Sequence, residues 1–327
     1  MTQASSSPTS EILEWQYMKG PDFHRLDRSK TVILLSCSPL EVHGPHLPVL
    51  TDIHEAEALM LRTVEFLRKK HPELTFVRLP FLYTAADVVP QLGSLAFRSS
   101  TIIRVLCDIG RSLAKQGFRH IWVSSFHGGP RHFVPIDVAT HRTNRRYGTK
   151  MISLFSMLLK QLTGGSSDLA DILKDVKGLD TKDLKGDHHG GLIETSMMLH
   201  LLKKYIDPNY DQLPQNTLAL KLAKEGKAPL QEKRPNLSQL FRGYREKIKF
   251  YETETYSGHP GLATPEIGKE IIEILASHCA DALSEVLHEK RDPKQCYSPL
   301  WSVRWLFTHR LFGWLFERYV GYRTQVW

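Results

Sequence analysis

The sequence TVILLS, residues 31–36, decides the fold class of this chain, and it leads into the polar segment EVHGPHLPVLTD at residues 41–52. An unbroken apolar and β-branched run predicts a strand buried on both faces, as strands of parallel sheets are. Ligand sites in such sheets lie beyond the carboxyl ends of the strands. The polar segment therefore stands where a functional site is expected.

The rest of the chain alternates between strand and helix patterns. Further strands are predicted at residues 74–79, 120–125 and 150–155, and helices at 52–69, 99–116, 133–147, 194–202 and 265–287. This alternation predicts βαβ units and a mainly parallel sheet in an α/β fold. Residues 162–187 are predicted to form an irregular insertion and residues 208–236 a loop.

Composition narrows the possible partners. The 327 residues are 41% hydrophobic and 24% charged, as in an ordinary globular protein. The net charge of +8 is scattered, although basic residues are denser at 221–249 and near the C-terminus. Scattered charge indicates a solvated surface, so nucleic acid is not an expected partner.

The cysteines and the first residues predict a cytoplasmic protein. None of the four cysteines forms a C-x-x-C pair, which favours reduced thiols. Residues 1–10 lack the basic and apolar regions of a signal peptide, and we expect residues 1–11 to form a disordered arm. No apolar run is long enough to span a bilayer.

The first polar segment carries metal-binding side chains. Glu41, His43 and Asp52 offer two carboxylates and an imidazole, a mixed set that suits Zn²⁺, Mn²⁺ or Fe²⁺. A carboxylate can also bridge two ions, as two-metal hydrolases require. The alternative is a surface loop, because an E-x-H pattern alone is weak evidence.

Two further clusters follow predicted strand or loop positions. His127 comes directly after the third strand and precedes two glycines, which allow close approach of the backbone to a ligand. His188 and His189 also precede two glycines, and Glu194 opens a helix; together they could supply an acid/base pair and a ligand. The alternatives are an incidental turn histidine and, for Glu194, a favourable interaction with the helix dipole.

Together these clusters resemble the creatininase (creatinine amidohydrolase) family. Four segments match its motifs in order: residues 41–52, 125–130 (SFHGGP), 189–196 (HGGLIETS) and 258–268 (GHPGLATPEIG). The resemblance covers residues 12–290 and implies an α/β three-layer sandwich with helices on both faces of the central sheet. It also implies a homo-oligomer, a hexamer in this family.

The resemblance implies a metal-dependent hydrolase. Metal ligands are expected at Glu41, His43, Asp52 and His127, with Asp52 bridging when two ions are bound. One or two Zn, Mn or Fe ions would activate a water that attacks the carbonyl of a small cyclic amide. His189 or His188 is then expected to protonate the leaving nitrogen.

Departures from the family pattern bear on the second ion and the substrate. Gly129 stands where creatininase has a glutamate ligand, and Glu194 is the candidate replacement. Lys185 and Gly186 replace a Trp-Asp pair of the creatinine pocket, so creatinine is not the expected substrate, and Lys185 would favour a polar or anionic one. A cyclic sugar-derived ketone, a lactone and a non-catalytic binding role remain alternatives.

Residues 291–327 form a C-terminal extension beyond the predicted hydrolase domain at 12–290. Four of the six tryptophans lie there, interleaved with arginines: Trp301, Trp305, Trp314 and Trp327. Such a segment is costly to expose. Docking onto its own domain or across an oligomer interface is favoured, and peripheral contact with a membrane surface is the alternative.

Overall fold

The structure, a computed structural model, describes residues 12–162, 173–230, 237–311 and 314. Its centre is a five-stranded, all-parallel sheet of order β1-β3-β2-β4-β5. The strands are β1 (Leu13–Glu14), β2 (Thr31–Ser36), β3 (Thr75–Arg78), β4 (His120–Ser124) and β5 (Lys150–Ser153). The predicted mainly parallel sheet is confirmed, and the strand TVILLS lies at its centre.

Helices follow most strands. They are α1 (Gly20–Arg25), α2 (Thr51–Lys70), α3 (Ser99–Lys115), α4 (Pro130–Tyr147), α5 (Leu154–Leu162), α6 (Leu192–Leu202), α7 (Leu218–Lys224), α8 (Leu237–Tyr251), α9 (Pro265–Leu287) and α10 (Trp305–Thr308). Short 3-10 helices occur at Trp15–Tyr17, Thr181–Leu184, Lys203–Tyr205, Tyr210–Gln212, Pro260–Leu262, Pro293–Cys296 and Pro299–Val303.

The central strand β2 packs against a separate hydrophobic core on each face. Val32 and Leu34 belong to the core beneath α2, α6 and α9. Ile33 and Leu35 belong to the core beneath α3 and α4. Because successive side chains of a strand point to opposite faces, one apolar run supplies both cores. The result is the three-layer sandwich that was expected.

Three predictions about local structure need correction or a limit. The predicted loop at 208–236 is wrong in part, because α7 occupies Leu218–Lys224. The predicted strand at 150–155 ends at Ser153, where α5 follows without a break. Much of the predicted insertion at 162–187 lies outside the described residues, and its later part contains the 3-10 helix Thr181–Leu184.

The beginning of the C-terminal extension packs on α4. The Ser298 backbone N–H donates to Oδ2 of the buried Asp137 over 2.9 Å. The Tyr297 and Trp301 rings stack with centroids 4.2 Å apart, and Trp301 lies 5.0 Å from the His141 ring. Further along, Trp305 is exposed. Within the described ranges, we find no helix with the length and apolar character that a membrane crossing requires.

Candidate metal centre

The candidate site lies at the carboxyl ends of the neighbouring strands β2 and β4, whose last residues Ser36 and Ser124 are paired. Glu41 and His43 lie in the loop after β2, and Asp52 lies in the first turn of α2. His127 lies in the loop after β4. The fold thus brings together three segments that the sequence separates.

The four side chains are buried and in mutual contact. Oδ1 of Asp52 lies 3.2 Å from Nε2 of His43, and Oδ2 lies 3.5 Å from Nδ1 of His127. The same His127 nitrogen lies 3.0 Å from Oε2 of Glu41. The exposed fraction is 1% for Glu41 and Asp52, 0% for His43 and 6% for His127. Two carboxylates and two imidazoles therefore share one buried space.

Glu194 joins this cluster from the first turn of α6. Its Oε2 lies 3.6 Å from His43 Nε2. The free amides at the start of α6 are satisfied by Asp187, which accepts from the backbone N–H groups of Leu192 and Ile193 over 2.9 Å each. Oε2 of Glu194 also accepts from the Gly190 backbone N–H over 2.5 Å, and the same oxygen faces the cluster.

The potential ligands form three overlapping groups, two of which share Asp52. Ligand atoms of Glu41, Asp52 and His127 lie within 4.8 Å of one another, and so do those of His43, Asp52 and Glu194. A third such group comprises Glu41, His43 and His189. A carboxylate common to two ligand sets is the arrangement that a bridged two-ion site needs.

Backbone carbonyls fix the orientation of His43 and His127. Nδ1 of His43 donates to the Glu41 carbonyl over 2.9 Å, and Nε2 of His127 donates to the Ala86 carbonyl over 3.1 Å. A carbonyl can only accept, so in the neutral rings the lone pairs lie on His43 Nε2 and His127 Nδ1. Metal-binding histidines in proteins are held in the same way.

Electrostatics also favour a cation here. Burial alone disfavours a charged imidazole, but the carboxylates of Asp52 and Glu194 raise the pKa of His43 to about 10. Among the described residues, neither Oε2 of Glu41 nor Oδ2 of Asp52 has a hydrogen bond of good geometry. Buried carboxylates need compensating positive charge, which a bound cation would supply in place of the protons on the neighbouring imidazoles. This donor set therefore fits a divalent cation.

His189 lies against this cluster. Its ring centroid is 4.0 Å from that of His43, and its Nε2 donates to the Val42 carbonyl over 2.7 Å. Burial and the neighbouring His43 lower the pKa of His189 to about 3, so the ring is neutral with its lone pair on Nδ1. His188, by contrast, is exposed.

A cavity of about 240 Å³ opens onto the cluster. Glu41, His127, His189 and Glu194 form the wall on the metal-ligand side. The remaining wall includes His188, Asp87 and residues of α8, namely Tyr244, Lys247, Ile248 and Tyr251. Neither Asp87 nor this face of α8 was predicted from the sequence. A signal existed, because positions 244, 247 and 251 recur at helical spacing on one face.

Two residues near these motifs lie outside the ligand groups. His46, inside the first motif, is outside all three ligand groups, and its Nε2 lies 2.9 Å from Thr195 Oγ1. Lys185, expected to favour an anionic ligand, is exposed and does not line the cavity. Lys247 is the lysine that does.

Gly129 is enclosed. A Cβ atom there would lie 2.6 Å from Asp87 Cβ and 2.7 Å from His127 Nε2. Such distances are closer than packed carbon atoms approach, so position 129 has no room for a side chain. The carboxylate of Glu194 reaches the same cluster from another element.

The fold and the site define a three-layer α/β protein with a candidate two-ion centre at the carboxyl edge of its sheet. A family profile described as Creatininase: Creatinine amidohydrolase matches residues 16–283. The chain belongs to the creatininase family. A search of curated proteins finds no match.

Solved structures share the fold. A creatininase in a Mn form is 19% identical with a TM-score of 0.59, over 85% of this chain and 99% of its own. A mutant creatininase of Zn-Zn type has 19% identity and a TM-score of 0.60, with the same coverage. A Bacteroides fragilis NCTC 9343 protein assigned as a creatinine amidohydrolase has 18% identity and a TM-score of 0.58, over 87% of this chain and 99% of its own.

Proposed function

We propose that the chain is a metal-dependent hydrolase that cleaves a C–N bond of a small cyclic amide. One observation carries this proposal: the two three-residue ligand groups share Asp52. In our assignment Glu41, Asp52 and His127 hold one divalent ion, and His43, Asp52 and Glu194 hold the second. Zn or Mn is the expected metal, because creatininase structures of Zn-Zn and Mn form share the fold.

Bound ions would supply an acidified water and a Lewis acid for the substrate carbonyl. The residues of the chain then have separate tasks. Nδ1 of His189 holds an unshared pair and the residue lines the cavity, so it would take the proton that the attacking water loses and give it to the leaving nitrogen. His188 lies at the same wall and is exposed, which suits it to a second proton-transfer or substrate-contacting role.

The substrate is small and differs from creatinine. A cavity of about 240 Å³ lies below the usual range for drug-sized ligands. A mutant creatininase that shares the fold was solved with creatine. The family resemblance implies a Trp-Asp pair in the creatinine pocket, and this chain has Lys185 and Gly186 there. We therefore propose another cyclic amide.

Location and assembly are part of the proposal. Cys37, Cys107, Cys279 and Cys296 are all free thiols, which agrees with a reducing cytoplasm.

A homo-oligomer is proposed because large apolar side chains are exposed near the C-terminal extension, namely Trp305, Leu306, Leu311 and Trp314. Light scattering of the purified chain tests this, and a monomer at micromolar concentration would contradict it.

The test of function combines metal analysis with a substrate screen. Protein expressed with added Zn or Mn should contain divalent metal and hydrolyse at least one member of a panel of cyclic amides, formamides, lactones and cyclic sugar ketones. His189→Ala should keep the metal and lose rate. Metal-replete protein that hydrolyses no member would favour the non-catalytic binding role instead.

A further inference from the structure

The wall contributed by α8 carries one basic side chain, Lys247. It lines the cavity together with Tyr244 and Tyr251, which lie on the same helical face, and it is accessible to solvent. The metal-ligand residues Glu41, His127 and Glu194 line the same cavity. A ligand held at the metal centre therefore lies within the space that Lys247 borders.

The negative groups of this cavity are engaged elsewhere. Asp87 accepts from the backbone N–H of Arg131 over 2.7 Å and from the Tyr244 hydroxyl over 3.4 Å, and the Arg131 guanidinium lies 3.9 Å away. Glu41 and Glu194 belong to the ligand groups. Each carboxylate thus has a partner or an assigned cation.

Lys247 is different. Burial in the cavity wall lowers the pKa of Lys247, although Asp87 and Glu41 act in the opposite direction. It makes no salt bridge with any residue of the described ranges. Other lysines in this region do form such pairs: Lys227 Nζ lies 3.4 Å from Glu246 Oε2, and Lys221 Nζ lies 3.3 Å from Glu254 Oε1. A cation that faces a ligand cavity without an ion-pair partner is suited to an anionic group of the ligand.

We infer that Lys247 binds a carboxylate carried by the substrate, so that the substrate is a small anionic cyclic amide rather than a neutral one. This inference rests on the proposed function, since it assumes that the amide group lies at the metal centre. A carboxylate is favoured over a phosphate, because phosphate sites combine several donors such as arginine forks or helix N-termini. Here one lysine faces a cavity of about 240 Å³.

Pairs of cyclic amides that differ by one carboxylate test the inference. The pairs are dihydroorotate with dihydrouracil, 5-oxoproline with 2-pyrrolidinone, and hydantoin-5-acetate with 5-methylhydantoin. Binding to the metal-loaded full chain is measured by titration calorimetry, which does not depend on turnover. For at least one pair we expect the carboxylate to improve affinity about tenfold or more, as a hydrogen bond to a charged group does.

Variants then locate the effect. Lys247→Met should abolish the advantage of the carboxylate, and Lys247→Arg should keep most of it. Lys249→Met, on the same helix, removes an equal charge from an exposed residue that does not line the cavity, so it should keep the advantage. Thermal unfolding of each variant checks that the fold is retained.

Two results overturn the inference. The first is the absence of a carboxylate advantage in every wild-type pair, which includes the absence of binding. The second is an advantage that persists in Lys247→Met, because the carboxylate then binds elsewhere, for example to the ions. Hydrolysis of neutral amides without a carboxylate preference would leave the proposed function intact. A preference that depends on Lys247 without any hydrolysis would instead refute the proposed function alone.

Discussion

Oδ1 of Asp52 lies 3.2 Å from Nε2 of His43, which joins the first turn of α2 to the loop after β2. The other oxygen of Asp52 faces His127, 3.5 Å away, in the loop after β4. One side chain therefore links the two ligand groups that we assign to metal ions. Its place in the first turn of α2 adds the positive end of a helix dipole to its surroundings, which favours the ionised carboxylate.

Glu194→Gln should remove one of two ions. Glutamine keeps the size of the side chain but loses the charge that lies 3.6 Å from His43, so the group of His43, Asp52 and Glu194 should no longer retain its cation. Elemental analysis after desalting should fall from about two equivalents per chain to about one, by the stoichiometry of a two-metal site. Glu266→Gln, in the first turn of α9, is the control and should keep both ions. Full occupancy in Glu194→Gln would refute this ligand assignment.

Gly129→Glu should not restore the ion that Glu194→Gln loses, although a glutamate occupies this position in creatininase. A Cβ at residue 129 would lie 2.6 Å from Asp87 Cβ, so the added side chain displaces the loop. The cost of such overpacking is about 1–3 kcal/mol of unfolding free energy, measurable by denaturant titration. Gly128→Ala is the matched control, because a Cβ there has no atom within 4 Å. Two ions in a variant that combines Gly129→Glu with Glu194→Gln would show that position 129 can supply a ligand.

Metal binding should release protons at pH 7.5. Although burial opposes it, the carboxylates of Asp52 and Glu194 raise the pKa of His43 to about 10, so the metal-free ring is protonated at neutral pH. A cation needs the neutral imidazole and must displace that proton. Affinity should therefore fall as pH falls. Calorimetry in two buffers of different ionisation enthalpy counts the protons, and a count of zero would contradict this account.

Asp137 should make the fold less stable as pH rises. Burial raises its pKa to about 7, despite the hydrogen bond from the Ser298 backbone N–H. Because the folded-state pKa exceeds the unfolded one, the unfolded chain releases this proton first, and stability is lost as pH rises towards and through about 7.

Asp137→Asn should remove that dependence. The difference in unfolding free energy between variant and wild type should change by up to about 1.4 kcal/mol per pH unit between the unfolded and folded pKa values. Urea denaturation at several pH values measures it. Asp211→Asn, at an exposed position, is the control. If the unfolding free energies of Asp137→Asn and wild type depend on pH in the same way, the raised pKa of Asp137 is contradicted.

The sequence predicted the scaffold well where local signals and tertiary structure agree. The strand at 31–36 was predicted because residues 32–35 are apolar without alternation, as in a strand buried on both faces, and all six residues are buried. The last long helix was predicted with its observed bounds, Pro265–Leu287. There Thr264 accepts from the backbone N–H of Ile267 and Pro265 stands at the first helical position, two start signals that act within a few residues.

The α8 wall of the cavity was not predicted. Its sequence, LSQLFRGYREKIKFY, contains a glycine and many charges, and α8 packs on the short helix α7. Such a helix depends on tertiary contacts, for example burial of Phe250, more than on its own propensity.

For the site, the motif at 41–52 pointed to Glu41, His43 and Asp52. The sequence also marked Glu194 as either a ligand or a dipole partner, and spacing could not separate these roles. The distance from Glu194 to His43, which only the folded structure provides, distinguishes the two roles. The cavity walls formed by Asp87 and Lys247 could not be predicted either, because distant segments of the chain must meet to form them. The same holds for the lack of space beside Gly129.

The most direct test of the central claim is the metal content of Asp52→Asn beside that of wild type, both expressed with added Zn or Mn. Because Asp52 is common to both ligand groups, we expect about two equivalents per chain in wild type and almost none in the variant, with the far-ultraviolet circular dichroism unchanged. Wild-type protein without metal, or a variant that keeps both ions, would contradict the claim that a shared carboxylate organises this site.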